Sequence, residues 1–205
     1  MAKQYAFYFN ASACTGCKAC QIACKDDNNL EVGIRWRRVA AVERGEWTRD
    51  GNVWQQNILS YNVSVSCNHC QNALCTTVCP TGAMEKREDG IVLLNQDACI
   101  GCRYCEWTCP YGAPQFDAAV GKMSKCDFCV ENVDAGKAPA CVAACPMRAL
   151  DFGDLEELQA KYGTVDSVYP LPEGSVTQPA IVITPTSKAT TANALDARIG
   201  NLEEI

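Results

Sequence analysis

Sixteen cysteines fall in four groups of four, and every group opens C-x2-C and closes C-x3-C. Cys14, Cys17, Cys20 and Cys24 form the first group and Cys99, Cys102, Cys105 and Cys109 the third, both spaced C-x2-C-x2-C-x3-C. The second group is Cys67, Cys70, Cys75 and Cys79; the fourth is Cys126, Cys129, Cys141 and Cys145, with an eleven-residue insert between its two pairs. A proline follows the last thiol in three groups (Pro80, Pro110, Pro146), whereas Lys25 stands there in the first. This internal repeat constrains the fold more than any hydrophobic periodicity in the chain, because thiols two residues apart in a tight loop converge on one point in space.

Three chemistries use cysteine at this density. Separate disulfides suit converging thiols badly, and the opening "MAKQYAFYFNASAC" lacks the apolar run and cleavage site of a secretory signal, which points to synthesis in a reducing compartment. Structural zinc takes C-x2-C pairs, and sixteen thiolates would fill four tetrahedral sites. Zinc has no use, however, for a third thiol inside the same loop. An iron-sulfur cubane does: three thiols wrap three corners, and the fourth, carried off along the next helical turn with a proline behind it, ligates the cluster of a partner motif. The spacing therefore predicts four [4Fe-4S] clusters with no thiol left over. Groups two and three, joined by 19 residues in ferredoxin style, should exchange their last thiols: Cys67, Cys70 and Cys75 share a cluster with Cys109, and Cys99, Cys102 and Cys105 take Cys79. By elimination the outer groups pair, Cys145 completing Cys14, Cys17 and Cys20, and Cys24 completing Cys126, Cys129 and Cys141. Ligation of this kind staples distant segments and supplies folding energy.

The predicted architecture is α+β, with two 2x[4Fe-4S] ferredoxin-like modules, one inserted in the other, a β-rich insertion and an extended C-terminal tail. Residues 1–27 plus 120–153 make the outer module, residues 64–119 the inner one. Residues 28–63, with Trp36, Trp47, Trp54 and the alternating "NILSYNVSVS", make the insertion, either a small satellite core or a partner-docking surface. Within the inner module "REDG" reads as a turn and "IVLLN" as a short strand. Residues 154–205 are a short helix and a partner-binding tail. The stretch "DFGDLEELQAKYG" opens on an Asp N-cap and closes on Lys and Gly; "YPLPEGSVTQPAIVITP" is extended; the residues from Thr186 onward should be ordered only where a partner holds them.

Several function classes are excluded. A formal charge of -6 and a pI near 4.9 offer no basic face for nucleic acid. No apolar run is long enough for a direct membrane span. No G-x-G-x-x-G follows a strand and no P-loop is present, so nucleotide and flavin binding lack support. With every iron already ligated, the clusters imply electron transfer, and no catalytic residue is assigned. The single histidine, His69 in "CNHC", suits a hydrogen bond to a cluster sulfur or a surface position better than acid-base work. Lys18, Arg103, Lys125 and Arg148 adjoin thiols, where positive charge favours a reduced cluster; ordinary solvated side chains are the alternative. Trp107 and Tyr111 bracket Cys109 and either shield a cluster or simply pack.

Taken in order, "CTGCKAC", "SCNHC", "TGAMEKREDGIV", "CIGCRYCEWTCPYGAPQF", "GKMSKCDFC" and "CPMRALDFGDLEEL" resemble the four-cluster iron-sulfur subunits that accompany molybdopterin oxidoreductases, in the branch of the dimethyl sulfoxide reductase electron-transfer subunit. The resemblance runs from about residue 4 to about residue 185, and "GAMEKREDG" and "CPYGAPQF" favour this branch over the similar subunits of nitrate, formate, tetrathionate and polysulfide enzymes. Cys102 stands where the nitrate reductase counterpart has a Trp, and the C-terminal membrane helix of the formate dehydrogenase counterpart is missing. The resemblance implies anaerobic respiration with two partners, a membrane-anchor quinol-oxidising subunit facing groups two and three, and a molybdopterin catalytic subunit served by groups one and four. It implies a peripheral position on the outer face of the cytoplasmic membrane, reached by co-export with the catalytic subunit and without a signal peptide of its own. The same relay in a tetrathionate/polysulfide, formate or hydrogenase-type complex is the alternative, and a zinc-stapled interaction module a distant one.

Overall fold

The aromatic run "YAFYFN" forms strand β1 (Tyr5–Asn10), which lies between two partners supplied by the far end of the sequence. The computed structural model describes residues 3–187, 189 and 197–204. The first cysteine loop leads into helix α1 (Ala19–Asp27), followed by strands β2 (Arg38–Arg44), β3 (Trp47–Asp50), β4 (Val53–Gln56) and β5 (Leu59–Val65). Helix α2 (Leu74–Thr77), the hairpin β6 (Met84–Lys86) and β7 (Val92–Leu94), helix α3 (Tyr104–Thr108) and the hairpin β8 (Gln115–Asp117) and β9 (Lys122–Ser124) come next. Helices α4 (Val130–Asp134) and α5 (Ala140–Ala143), strand β10 (Leu150–Asp154), helix α6 (Leu155–Tyr162), and strands β11 (Ile181–Thr184) and β12 (Ala197–Ile199) complete the order. The result is the mixed helix and strand content of a ferredoxin-like protein.

β1 takes β10 antiparallel on one side and β11 parallel on the other. Side chains alternate across a strand, and both faces of β1 are covered. Phe7 and Phe9 enter the main core with Phe128, Leu150, Ile181 and Ile183, among the thiols Cys20, Cys67, Cys126, Cys141 and Cys145. Ala6 and Tyr8 turn the other way and pack with Leu155, Leu158 and Val182, Tyr8 stacking on Tyr162 at 3.6 Å. Each buried phenylalanine contributes about 1.5–3 kcal/mol from burial alone. One strand thus joins the cysteine-bearing core to the layer under α6.

Three expectations are corrected. Asp151 does not open the helix of "DFGDLEEL": it pairs with Tyr8 in β10, and Asp154 is the N-cap, its Oδ1 accepting from the Glu156 N–H at 2.9 Å. Pairing with β1 takes the first residues into the sheet, a tertiary gain that overrides the local helix signal. Within "YPLPEGSVTQPAIVITP" only Ile181–Thr184 is strand, and much of what precedes it is turn. The tail is held by the protein itself: β12 pairs with β2, and Asn201 accepts from the Ala41 N–H at 2.7 Å and donates to the Val39 carbonyl at 2.8 Å. Its residues 188, 190–196 and 205 lie outside the described residues. The three tryptophans of 28–63 build no core of their own. Trp36 packs on the main core, while Trp47 and Trp54 stand exposed on the β3–β4 hairpin.

Candidate metal centres

Every C-x2-C turn is wound the same way. The residue before its second cysteine is left-handed in all four groups: Gly16 (φ 73°), His69 (φ 41°), Gly101 (φ 69°) and Phe128 (φ 68°). Glycine takes this conformation freely, and at Gly101 a Cβ would also run into the Gly121 carbonyl. His69 and Phe128 have no such freedom, and each costs about 1–2 kcal/mol in this region. Burial holds them there: both are fully buried, and their rings meet edge to face at 5.1 Å.

The prolines set how the fourth thiol is presented. A residue before proline is pushed out of the α region, so α2, α3 and α5 stop at Thr77, Thr108 and Ala143, ahead of Pro80, Pro110 and Pro146. Cys109 shows the effect directly, with φ -78° and ψ 113° at the end of α3. The first group has Lys25 instead, and α1 runs on through Cys24 to Asp27. Cys24 therefore projects from within a helix, whereas Cys109 projects from an extended residue just after one.

All sixteen thiols are free. One cavity is lined by Cys67, Cys70, Cys75 and Cys109 under Val92, Pro110 and Tyr111. A second is lined by Cys14, Cys17, Cys20 and Cys145 beside Phe9, Val39 and Leu150. Cys24, Cys126, Cys129 and Cys141 are all buried and close enough to act on one another electrostatically. Cys105 shares with Cys99 and Cys79 a small core around Met84 and Met123, and Cys102 is near enough to act on it electrostatically. The sets also share packing: Cys20, Cys67, Cys126, Cys141 and Cys145 lie in one core, and Cys75 borders the core of Cys105.

Burial holds several of the thiols neutral. It pushes Cys24 up to about 12 against the opposing pull of Arg37, takes Cys70 and Cys75 to about 12, and takes Cys105 and Cys129 to about 11. Ionising them requires a metal's positive charge, which is how ligation drives folding in such sites. Cys79 differs. It is little buried, and hydrogen bonds from Thr81, Met84 and Ala83 outweigh its burial and draw its thiol below the ordinary value.

The charged neighbours sort themselves. Lys18 pairs with Glu204, and Arg103 with Glu106 at 2.7 Å, both on the surface. Arg148 donates to the Ala143 and Cys145 carbonyls at 3.3 Å. Lys125 is buried, lines the Cys67 cavity, and donates to the Val92 and Cys126 carbonyls. Tyr111 lines the same cavity with its hydroxyl 2.9 Å from that of Thr177, whereas Trp107 is 72% exposed. His69 is 1% exposed, so the surface position expected as one alternative is ruled out. Its Nδ1 accepts from the Val92 N–H at 3.0 Å, and burial depresses its pKa well below the ordinary value, leaving a neutral ring with its proton on Nε2.

Sequence reasoning missed Arg37, Arg38 and Asn68. Buried polar atoms ordinarily find partners, yet Arg37 Nε, Arg38 Nε, both amide atoms of Asn68 and His69 Nε2 have none within the protein. Asn68 lines the Cys67 cavity, and Arg37 and Arg38 act electrostatically on thiols of three groups. Orphaned N–H donors beside thiols fit a group rich in sulfur acceptors, as an iron-sulfur cluster is. The signal available beforehand was "IRWRRVAAV", where an arginine interrupts apolar residues at the entry to a strand.

Cysteine loops of this winding, on this mixed scaffold, define a ferredoxin-like iron-sulfur protein of the electron-transfer class. Residues 58–155 match the 4Fe-4S dicluster domain family. The sequence is 49% identical to the "Probable anaerobic dimethyl sulfoxide reductase chain YnfG" of Escherichia coli (strain K12) and 47% identical to a second anaerobic dimethyl sulfoxide reductase chain of the same strain, each over 100% of both proteins. It is 36% identical to a polysulfide reductase chain of Wolinella succinogenes, over 92% of this sequence and 97% of that one. The protein belongs to the family of iron-sulfur subunits of anaerobic dimethyl sulfoxide reductases. Among the described residues no helix is long and apolar enough to cross a membrane.

Proposed function

We propose that the protein relays electrons through four [4Fe-4S] clusters, from a membrane-anchored quinol-oxidising subunit to a molybdopterin catalytic subunit that reduces an S-oxide or N-oxide. Dimethyl sulfoxide is the substrate in the names of its relatives. The observation that carries this is the lining of the two cavities, each made of three thiols from one cysteine group and the last thiol of another. On this assignment Cys14, Cys17, Cys20 and Cys145 hold the first cluster, and Cys24, Cys126, Cys129 and Cys141 the second. Cys67, Cys70, Cys75 and Cys109 hold the third, and Cys79, Cys99, Cys102 and Cys105 the fourth. Each cluster, when bound, takes up and gives back one electron. The protein positions thiols at every iron, excludes water with Tyr111, Val92 and Phe9, and offers buried donors at Asn68 and His69.

Among the described residues no three His, Cys, Asp or Glu side chains crowd together as a single ion needs. Thiols spread around a cavity suit a cubane better than a tetrahedral zinc. With all irons ligated by protein, catalysis belongs to the partner subunit. The two-module division, 1–27 with 120–153 around 64–119, follows from the same pairing and is supported by β1 and β10 meeting in one sheet. The protein sits peripherally on its membrane partner, on the outer face of the cytoplasmic membrane after co-export. Iron, sulfide and zinc analysis of the purified complex tests the assignment, with four irons and four sulfides expected per cluster and four clusters per copy of this protein. Cys109→Ser should damage the third cluster and Cys79→Ser the fourth, each seen by electron paramagnetic resonance. Zinc without sulfide, or damage to the mutated thiol's own loop instead, refutes it. The large subunit that copurifies decides between S-oxide and polysulfide chemistry.

A further inference from the structure

Arg37 lies at the entry to β2 and is 2% exposed. Its Nη1 donates to Ser64 Oγ at 3.2 Å and its Nη2 to Ser66 Oγ at 2.9 Å, while its guanidinium carbon lies 4.7 Å from the Phe7 ring centroid. These anchors are neutral. Its Nε has no acceptor, and among the described residues no carboxylate pairs with it. Buried charges are normally paired, so an anion is missing from the protein's own inventory. Ser64 Oγ, its own partner, lies 3.4 Å from Cys20 Sγ, and the Arg37 backbone N–H hydrogen-bonds Cys24, so thiols of two different sets border this residue; Cys141 and Cys126 of the second set also act on its charge. As cluster ligands they belong to centres that carry net negative charge, which grows by one on reduction.

We propose that Arg37 is the shared counter-charge of the first and second clusters, a positioning residue that raises both reduction potentials relative to the fourth. The proposal rests on the four-cluster assignment above. A fixed cation favours the more negative, reduced state of each neighbour and weakens the repulsion between two adjacent reduced centres. Arginine suits the role because it stays charged when buried and its planar fork is held by the two serines. Lys125, on the Cys67 cavity, stands near the third cluster and is untouched by a change at residue 37.

The test is a redox titration of the purified complex followed by electron paramagnetic resonance, with iron and sulfide counted per copy of the protein in every variant. Arg37→Gln and Arg37→Met should lower the reduced-to-oxidised ratio of the first and second clusters about tenfold at a fixed potential, a shift of about 59 mV for a one-electron couple. Arg37→Lys should restore most of that ratio, and the fourth cluster should not move. Full cluster content with unshifted potentials overturns the proposal, as does an equal shift in all four. If the neutral variants shed iron, loss confined to the first two clusters and repaired by Arg37→Lys supports it; loss that Arg37→Lys repeats overturns it. A wild-type complex with fewer than four clusters fails the assignment instead, independently of these outcomes.

Discussion

Phe128 gives the sharpest test of how the cysteine loops are held. It is fully buried, stacks on Phe7 at 4.2 Å, meets His69 at 5.1 Å, and does so from a left-handed backbone with φ 68°. Phe128→Ala removes the ring from the core and should cost about 3–5 kcal/mol. Phe128→Gly removes one carbon more, and at an ordinary position glycine would cost a further 0.5–1 kcal/mol or so. Here the sign reverses, because the left-handed penalty of about 1–2 kcal/mol persists in alanine and vanishes in glycine. Phe128→Gly should therefore match or exceed Phe128→Ala, by about 1 kcal/mol, a factor of about five in an equilibrium constant. Metal proteins rarely unfold in two states, so the assay is the anaerobic rate of cluster bleaching at several temperatures, compared between the two variants. If Phe128→Gly bleaches faster than Phe128→Ala, the strain at this turn is not what the backbone angle implies.

Pro110→Ala should let α3 continue past Thr108 and carry Cys109 away from Cys67, Cys70 and Cys75; iron content and the third cluster's resonance should both fall, leaving the second cluster intact. Cys102→Ser should yield a three-iron centre or lose the fourth cluster, detectable by electron paramagnetic resonance, and an unchanged spectrum would mean that Cys102 is no ligand. Asp154→Ala removes the cap of α6 and should lower stability by about 1 kcal/mol. The change should appear as a lower midpoint of thermal denaturation that Asp151→Asn does not reproduce.

The parts of this molecule that could be foreseen are those whose signal is local. Four spaced cysteine groups announce the metal chemistry because ligand spacing is fixed within a few residues, and "IVLLN" announces β7 because apolar residues bounded by a turn have few alternatives. Asp151 and Asp154 lie three apart before the same leucine run, and only the register of β10 against β1, 143 residues distant at the Tyr8 pairing, decides between them by placing Asp151 in the sheet; that separation is a matter of topology. Asn201 carries no local mark of its bonds to Val39 and Ala41 for the same reason. Arg37 was invisible because a buried cation follows from where Phe7, Ser64 and Ser66 converge on it, and those residues come from β1 and from the end of β5, both distant from residue 37 in sequence.

The position of β1 between β10 and β11 has a consequence for biosynthesis. The first strand to leave the ribosome pairs with residues 150–154 and 181–184, so one of its edges waits for about three quarters of the sequence and the other until nearly the whole has emerged. At about 5–20 residues per second, that interval is roughly 10–40 s. Through that time an aromatic segment with an unpaired edge is open to mispairing with other polypeptides. A nascent polypeptide stalled before Ile181 should aggregate or recruit a chaperone, whereas one released just beyond Thr184 can close its central sheet.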